Sequence, residues 1–170
     1  KNKQELLNEI KAAIASRMDA AAAQRAAVFC DAFFMRVPIT EVSEDSPDRV
    51  AAMVVSQLRF LQKRVKGELL IRVFNPDKKR DGWDCQHTVV ELSNDDMPFL
   101  VDTSSMAMHE LNLGVHLIVH PVLDVERDAR GKLSSFHHGS TGNSAKESFI
   151  HIHFDKQTDP AVLASVEALL

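Results

Sequence analysis

A chain of 170 residues with 45% apolar and 26% charged side chains has the make-up of a globular domain and excludes the disordered and fibrous classes. Its formal net charge of -4 supplies no electrostatic pull towards nucleic acid or an anionic membrane surface. No apolar run approaches the roughly 20 residues of a spanning helix, and no secretory leader is visible.

Cys30 and Cys85 lie in different segments without metal-like spacing, which reads as reduced thiols in a cytoplasmic protein. The chain opens without a methionine and stops inside the apolar pattern "VEALL", which reads as an excised piece of a longer polypeptide.

The first third is helical by period. Leu6, Leu7, Ile10 and Ile14 share one face, and Val28, Phe29, Ala32, Phe33 and Met35 form a second stripe before Pro38. The run "DAAAAQRAA" joins them and favours helix by propensity. "VPITEVSEDSP" is a connector. Ser46 then has the chemistry of an N-cap, with Pro47 in the first turn. Val50, Met53, Val54, Leu58, Leu61 and Val65 repeat at helical spacing as far as Gly67.

From Glu68 the period changes. "ELLIRVF" alternates as a strand, "NPDKKRDGW" is a polar turn, and "HTVVEL" is a second strand and an antiparallel neighbour of the first. A helix is expected from Pro98 to Leu113, and "VHLIVHPVLDVE" as the longest strand. "RDARGK" is then a hairpin turn, "LSSF" its return strand and "HHGSTGNSAKE" a polar loop. "SFIHIHF" is the next strand, and "TDPAVLASVEALL" begins a helix with Pro160 near its first position.

The order from His87 onward is strand, helix, strand, strand, helix. One more strand beyond Leu170 would complete a βαββαβ sandwich of the ferredoxin-like kind. The expected class is α+β, with residues 1–67 as a helical portion and 68–170 as the sandwich, together one compact unit.

Two constellations carry possible chemistry. In "SNDDMPFL", Asp95 and Asp96 sit between a strand and a helix start, where orphan N–H groups and the helix dipole favour carboxylates. Capping explains them. A pocket formed by Asn94, Asp95, Asp96, Pro98 and Phe99 is the functional alternative, and two acids there suit an ammonium group. The second constellation is histidine-rich. His116, Ile118 and His120 share one strand face, while His151 and His153 alternate with Ile150, Ile152 and Phe154. Were the strands neighbours with their aliphatic faces on the helices, four imidazoles would crowd the other face. That face would then be an interface covered by the N-terminal helices or a neighbouring subunit, or less plausibly a metal site.

"GSTGNSAKES" fails the G-x-x-x-x-G-K-[ST] phosphate-loop pattern, and no G-x-G-x-x-G occurs. No serine, cysteine or lysine has a setting that marks a nucleophile, so no catalytic residue is assigned.

The runs "GWDCQHTVVELSNDDMPFLVDTSSMAMHELNLGVHLIVHPVLDVERDARGKL" and "ESFIHIHFDKQTDPAVLASVEALL" closely resemble the N-terminal region of the large bacterial NAD-specific glutamate dehydrogenases. "RVPITEVSEDSPDRVAAMVVSQLRFLQKR" and "IRVFNP" extend the likeness, which covers the chain from about Phe33 to its end. The phrases "NDDMPFLVD" and "HLIVHPVL" are its most specific parts.

The resemblance implies a very long homo-oligomeric parent that oxidatively deaminates L-glutamate to 2-oxoglutarate and ammonia. The parent's NAD would bind in domains downstream, with no cofactor in this portion. It implies ACT-like domains in the N-terminal region, a fold associated with amino-acid sensing and subunit contacts. Amino-acid-binding ACT domains usually carry Asp-x-Pro-Gly-Leu after the first strand, whereas this chain has Asp96-Met97-Pro98-Phe99-Leu100. Phenylalanine replaces the glycine that lets a ligand approach the backbone, which tips the reading from effector sensing towards assembly.

Overall fold

The computed structural model describes residues 2–96, 100–137 and 144–169, apart from the side chains of Leu100, Val101 and Leu169. The expected helix start at Pro98, the Phe99 substitution and most of the polar loop after His137 lie outside the described residues.

Helix α1 (Lys3–Ala15) opens on a capping box in which Asn2 accepts from the Glu5 amide and Glu5 answers to the Asn2 amide. Its buried stripe is Leu6, Leu7, Ile10 and Ile14, as the period requires. The alanine run does not carry the helix onward. Asp19 accepts from the Ala22 amide at 2.8 Å and caps a separate helix, α2 (Ala20–Phe34). A side chain able to satisfy orphan donors outweighs alanine's modest propensity. Phe29 and Phe33 of the second stripe are buried, but Met35, at the C-cap, is 64% exposed.

Part of the connector folds as a short helix, α3 (Ile39–Ser43). Ser46 caps α4 (Pro47–Phe60), accepting from the Arg49 amide at 3.2 Å. This helix stops well before Gly67, and Val65 is exposed. The cause is tertiary. The Gln62 carbonyl accepts from the Leu133 amide at 2.8 Å and Lys63 bridges to Lys132, so a hairpin captures the backbone that helix hydrogen bonds would need.

The remaining elements are β1 (Leu70–Phe74), α5 (Lys78–Asp81), β2 (Thr88–Asp95), α6 (Leu100–Glu110), β3 (Val115–Val119), β4 (Val122–Arg127), β5 (Leu133–His137), β6 (Ala145–Phe154) and α7 (Pro160–Leu169). The strands form one antiparallel sheet in the order β1-β2-β6-β4-β5, with β3 also on β6. "HTVVEL" and "VHLIVHPVL" therefore share a sheet, as the βαββα order expects, and β1 holds the edge beside β2.

The segment expected as the longest strand is divided, and β6 is longest with 10 residues. Pro121 has no N–H to give the ladder, although its carbonyl still accepts from the Phe149 amide at 3.0 Å. Pairing keeps one register across the break, from Val119 opposite His151 to Val122 opposite Ser148.

Two layers cover the sheet. Helices α2 and α4 pack on its inner face around Phe29, Phe33, Val54, Leu58, Val89, Val125, Phe136 and Phe149, and α1 packs against these two helices. The rings of Phe136 and Phe149 lie 5.4 and 5.6 Å from that of Phe29. The outer face carries a smaller core of Val90, Leu92, Ile150, Ile152 and Phe154, closed by Ala107 and Met108 of α6 and Val166 of α7.

Gly131 ends the β4–β5 turn at φ +87°, and a Cβ there would sit on the Arg64 carbonyl, 2.7 Å from its carbon. Gly82 has a similar φ of +82° with open space around it. Gly131→Ala is expected to destabilise the fold by about 2 kcal/mol or more, and Gly82→Ala by only about 1 kcal/mol, in urea unfolding.

Candidate functional site

The acid turn is drawn into an ion-pair network rather than left open. Asp95 accepts from Nη2 of Arg64 at 2.8 Å, and that guanidinium also lies 3.0 Å from Glu147. Glu147 accepts from Nε of Arg127 at 2.8 Å and from the Ser93 hydroxyl at 3.1 Å. Burial by itself would raise the Glu147 pKa, but the hydrogen bonds from Arg127 and Arg64 overcome it and hold the carboxyl below its usual range. Asp96 accepts from the Ser148 hydroxyl at 2.7 Å, and its amide donates to the Lys146 carbonyl. Asn94 pairs with Ser148 across β2 and β6. Pro98 and Phe99, the other expected members of this site, lie outside the described residues. Sequence reasoning missed Arg64, Arg127 and Glu147 because they come from three separate segments.

The histidines are arranged differently from the sequence expectation. Leu117 pairs with His153 and Val119 with His151, and residues opposite one another in an antiparallel ladder share a face. His151 and His153 therefore lie on the inner face with Leu117 and Val119, while Ile118, opposite Ile152, faces the other way. His120 stands at the break beside Pro121, and burial followed by the neighbouring Arg36 lowers its pKa despite Asp96. The four imidazoles do not share a face. His151 is fully buried and His153 largely so, beneath the N-terminal helices. Theirs is an interface within the chain.

What gathers instead is a chain of polar contacts running along the inner face. Arg72 donates from Nε to Glu91 at 2.7 Å and from Nη2 to the Ser56 hydroxyl at 3.1 Å. Nδ1 of His151 lies 2.8 Å from Glu91, and Nε2 of His151 lies 2.8 Å from Nε2 of His153. Burial, followed by the neighbouring His151, His87 and His116, pushes the His153 pKa down to about 2, so its ring is neutral. A register irregularity between Val115 and Leu117 turns His116 out of the ladder. Its ring stacks on His87 with centroids 4.1 Å apart, and its Nε2 lies 2.7 Å from Asp155. Asp155 also accepts from the Gly114 amide. Trp83 lies in the expected polar turn, and His87, expected to open the strand, stands just before β2. The one available clue was that Trp83 is the sole tryptophan.

These rings border a cavity of about 360 Å³ between the helices and the sheet. Phe33, Val42, Val50, Met53 and Val119 wall it, Trp83 and His153 line it, and Glu41, Glu44, Asp45 and Arg49 stand around it. Among the described residues no group of three or more His, Cys, Asp or Glu side chains is placed to hold a metal ion. A second concavity, about 490 Å³, runs along the β3–β4 break between Met35, Arg36, Ile118, His120 and Val122.

The family described as glutamate dehydrogenase, ACT1 domain, matches residues 29–170. The chain belongs to that family. The NAD-specific glutamate dehydrogenase of Halomonas elongata is 31% identical over 168 residues, and that of Pseudomonas aeruginosa is 27% identical over 168 residues. Each alignment covers 98% of this chain but 10% of the relative, so the chain spans about a tenth of the proteins it matches. No solved structure matches it significantly. The ACT1 match begins inside α2 and takes in α4, so α4 and the end of α2 belong to the family's unit, while α1 and most of α2 precede it. Among the described residues of this ACT1 domain, no helix is long and apolar enough to cross a membrane.

Two acid-sensitive groups follow from the geometry. Glu147 stabilises the fold above its unfolded pKa near 4.5, and this contribution is lost as pH falls through its lower folded value. Glu147→Gln should cost about 3 kcal/mol at pH 7 and flatten the acid limb of the stability curve. His153 is depressed instead. Its contribution is complete above pH 6.5 and declines below it, by at most about 1.4 kcal/mol per pH unit. His153→Phe should remove that slope between pH 6.5 and 5 in urea unfolding.

Proposed function

We propose that this ACT1 domain serves assembly and interdomain communication in an NAD-specific glutamate dehydrogenase, and carries none of its catalysis. The parent would deaminate L-glutamate oxidatively with NAD bound in other domains, in the cytoplasm, and would work as a homo-oligomer. Residues 1–67 and 68–170 act as one mechanical unit in this reading, because Phe29 and Phe33 from the helices and Phe136 and Phe149 from the sheet form one core.

The observation that carries the proposal is the apolar surface at the β3–β4 break. Ile118 and Val122 are 39% and 42% exposed, with Met35 beside the same groove. The end of α2 borders this groove through Met35 and Arg36 but leaves Ile118 and Val122 partly exposed. Among the described strands, β3 is paired on one edge only, to β6. An edge with free N–H and C=O groups beside exposed aliphatic side chains is suited to a protein partner. His120 lines this surface, whereas His116 stands apart from it against His87 and Asp155. Downstream domains of the same polypeptide or a second subunit are the partners it fits.

The acid turn supports assembly over sensing, because Asp95 and Asp96 already have partners in Arg64 and Ser148. An ammonium-bearing effector at Asn94–Phe99 would have to displace them.

Ile118→Asp should lower the molar mass measured by light scattering, or disrupt association with the parent's remaining domains, while the circular dichroism spectrum stays unchanged. Asp96→Ala should leave association intact. A folded Ile118→Asp protein of unchanged mass, together with loss of a measured amino-acid affinity in Asp96→Ala, would establish the sensing role instead.

A further inference from the structure

We propose that β1 is the built-in fourth strand of this sandwich, and that its outer edge is the docking line for the polypeptide that follows α7 in the parent.

Strand direction carries the first half. β1 and β6 both run antiparallel to β2, so they run the same way with β2 between them. A strand reached from β6 through α7 also runs with β6, because the helix takes the chain back along the sheet. Beside β2 that place belongs to β1, whose register is unbroken from Leu70 opposite Ser93 to Phe74 opposite Val89. The strand that a βαββαβ order expects after α7 has no entry there.

β1 is no placeholder. Arg72 neutralises the buried Glu91 and reaches the Ser56 hydroxyl of α4. Just past β1, Asn75 donates from Nδ2 to the Gln157 carbonyl at 2.7 Å and accepts from the buried Thr88 hydroxyl at 2.5 Å. That hydroxyl accepts in turn from the Gln157 amide at 2.8 Å. The exit of β1, the start of β2 and the connection into α7 are thus one hydrogen-bonded cluster. A strand displacing β1 would strip the buried Glu91 and Thr88 of their partners, leaving their desolvation uncompensated.

Helix α7 sets the occupant. It packs on β1, and its Val166 shares the outer core with Ile71 and Val73, so the chain is carried past β2 to the β1 side of the sheet. Beyond β1 the sheet is open, since among the described residues β1 pairs with β2 alone. Edges that avoid pairing are usually blunted by proline, lysine or a bulge. "LIRVF" has no proline or lysine, its pairing shows no register shift, and its one charge is spent on Glu91. A strand added here in the direction of β6 runs parallel to β1. The matched dehydrogenases leave ample chain to supply it, because the alignments cover 10% of each. The proposal rests on the reading of this chain as part of such a parent, but it uses the sheet edge opposite the β3–β4 surface.

Hydrogen exchange read by mass spectrometry on peptides covering β1 and β2 compares the 170-residue chain with the whole parent. The β1 amides are expected to gain at least about tenfold protection in the parent, while β2 is equally protected in both. Faster exchange of β1 in the parent would mean that another strand displaces it, and unchanged exchange would mean that its edge stays free. Either result overturns the proposal. So does protection of β1 that rises with the concentration of the 170-residue chain, which would put a second copy on the edge. Val73 and Val90 stand opposite one another in the ladder, so a parent carrying Val73→Cys and Val90→Cys should form the cross-strand disulfide on mild oxidation. A folded double variant that stays reduced would overturn the assignment of β1 as the fourth strand. Ile118→Asp should leave β1 protection unchanged whatever it does to association, which separates failure here from failure of the assembly reading.

Discussion

The interior of this domain depends on charge being neutralised across strand pairs beneath the helices that cover the sheet. Glu91 and His151 are fully buried in the inner face, where an isolated carboxylate would be prohibitive. Arg72, directly opposite Glu91 in the β1–β2 ladder, supplies the counter-charge. Its guanidinium lies 4.6 and 4.1 Å from the ring centroids of Phe60 and Phe74, so the cation is partly solvated by aromatic faces. β1 is thus more than an edge strand. Without its arginine, the helical layer would be packed onto an unpaired carboxylate.

The same logic recurs at the other end of the sheet. Arg64 follows α4, Arg127 ends β4, and both meet Glu147 at the start of β6. Arg64 is buried, a condition that lowers its pKa, and the bonds from Glu147 and Asp95 more than restore it. Helix layer, hairpin and central strand are therefore tied by one carboxylate. This connection also ends α4 early, since the segment after Phe60 is committed to the hairpin.

The two faces of the sheet differ in character. The inner face is closed, polar in places and contains a defined cavity. The outer side of β3 and β4 exposes Ile118 and Val122, beside the edge of β3 that no described strand pairs. Pro121 separates the two strands without changing their register, so the exposed groove at the break forms while Leu117, Val119, Leu123 and Val125 stay aligned below it. A local backbone restriction creates an external surface at little cost to the core.

The helical stripe of α1, the cap at Ser46 and the strand–helix order were all decided by local chemistry, and each is legible in the sequence. Period and capping depend on neighbours within a turn or two, so no tertiary knowledge is needed to read them. The family resemblance was legible as well, in phrases such as "NDDMPFLVD". Strand register was not. Whether His151 faces His120 or Val119 depends on a pairing between residues some thirty positions apart, and one residue of slip reverses every side chain. The end of α4, the partners of Asp95 and the meeting of Trp83, His87, His116 and His153 are likewise products of tertiary packing. Hydrogen bonds and ion pairs between distant segments decided them, because those interactions outweigh the fraction of a kilocalorie that local propensity contributes at any one residue.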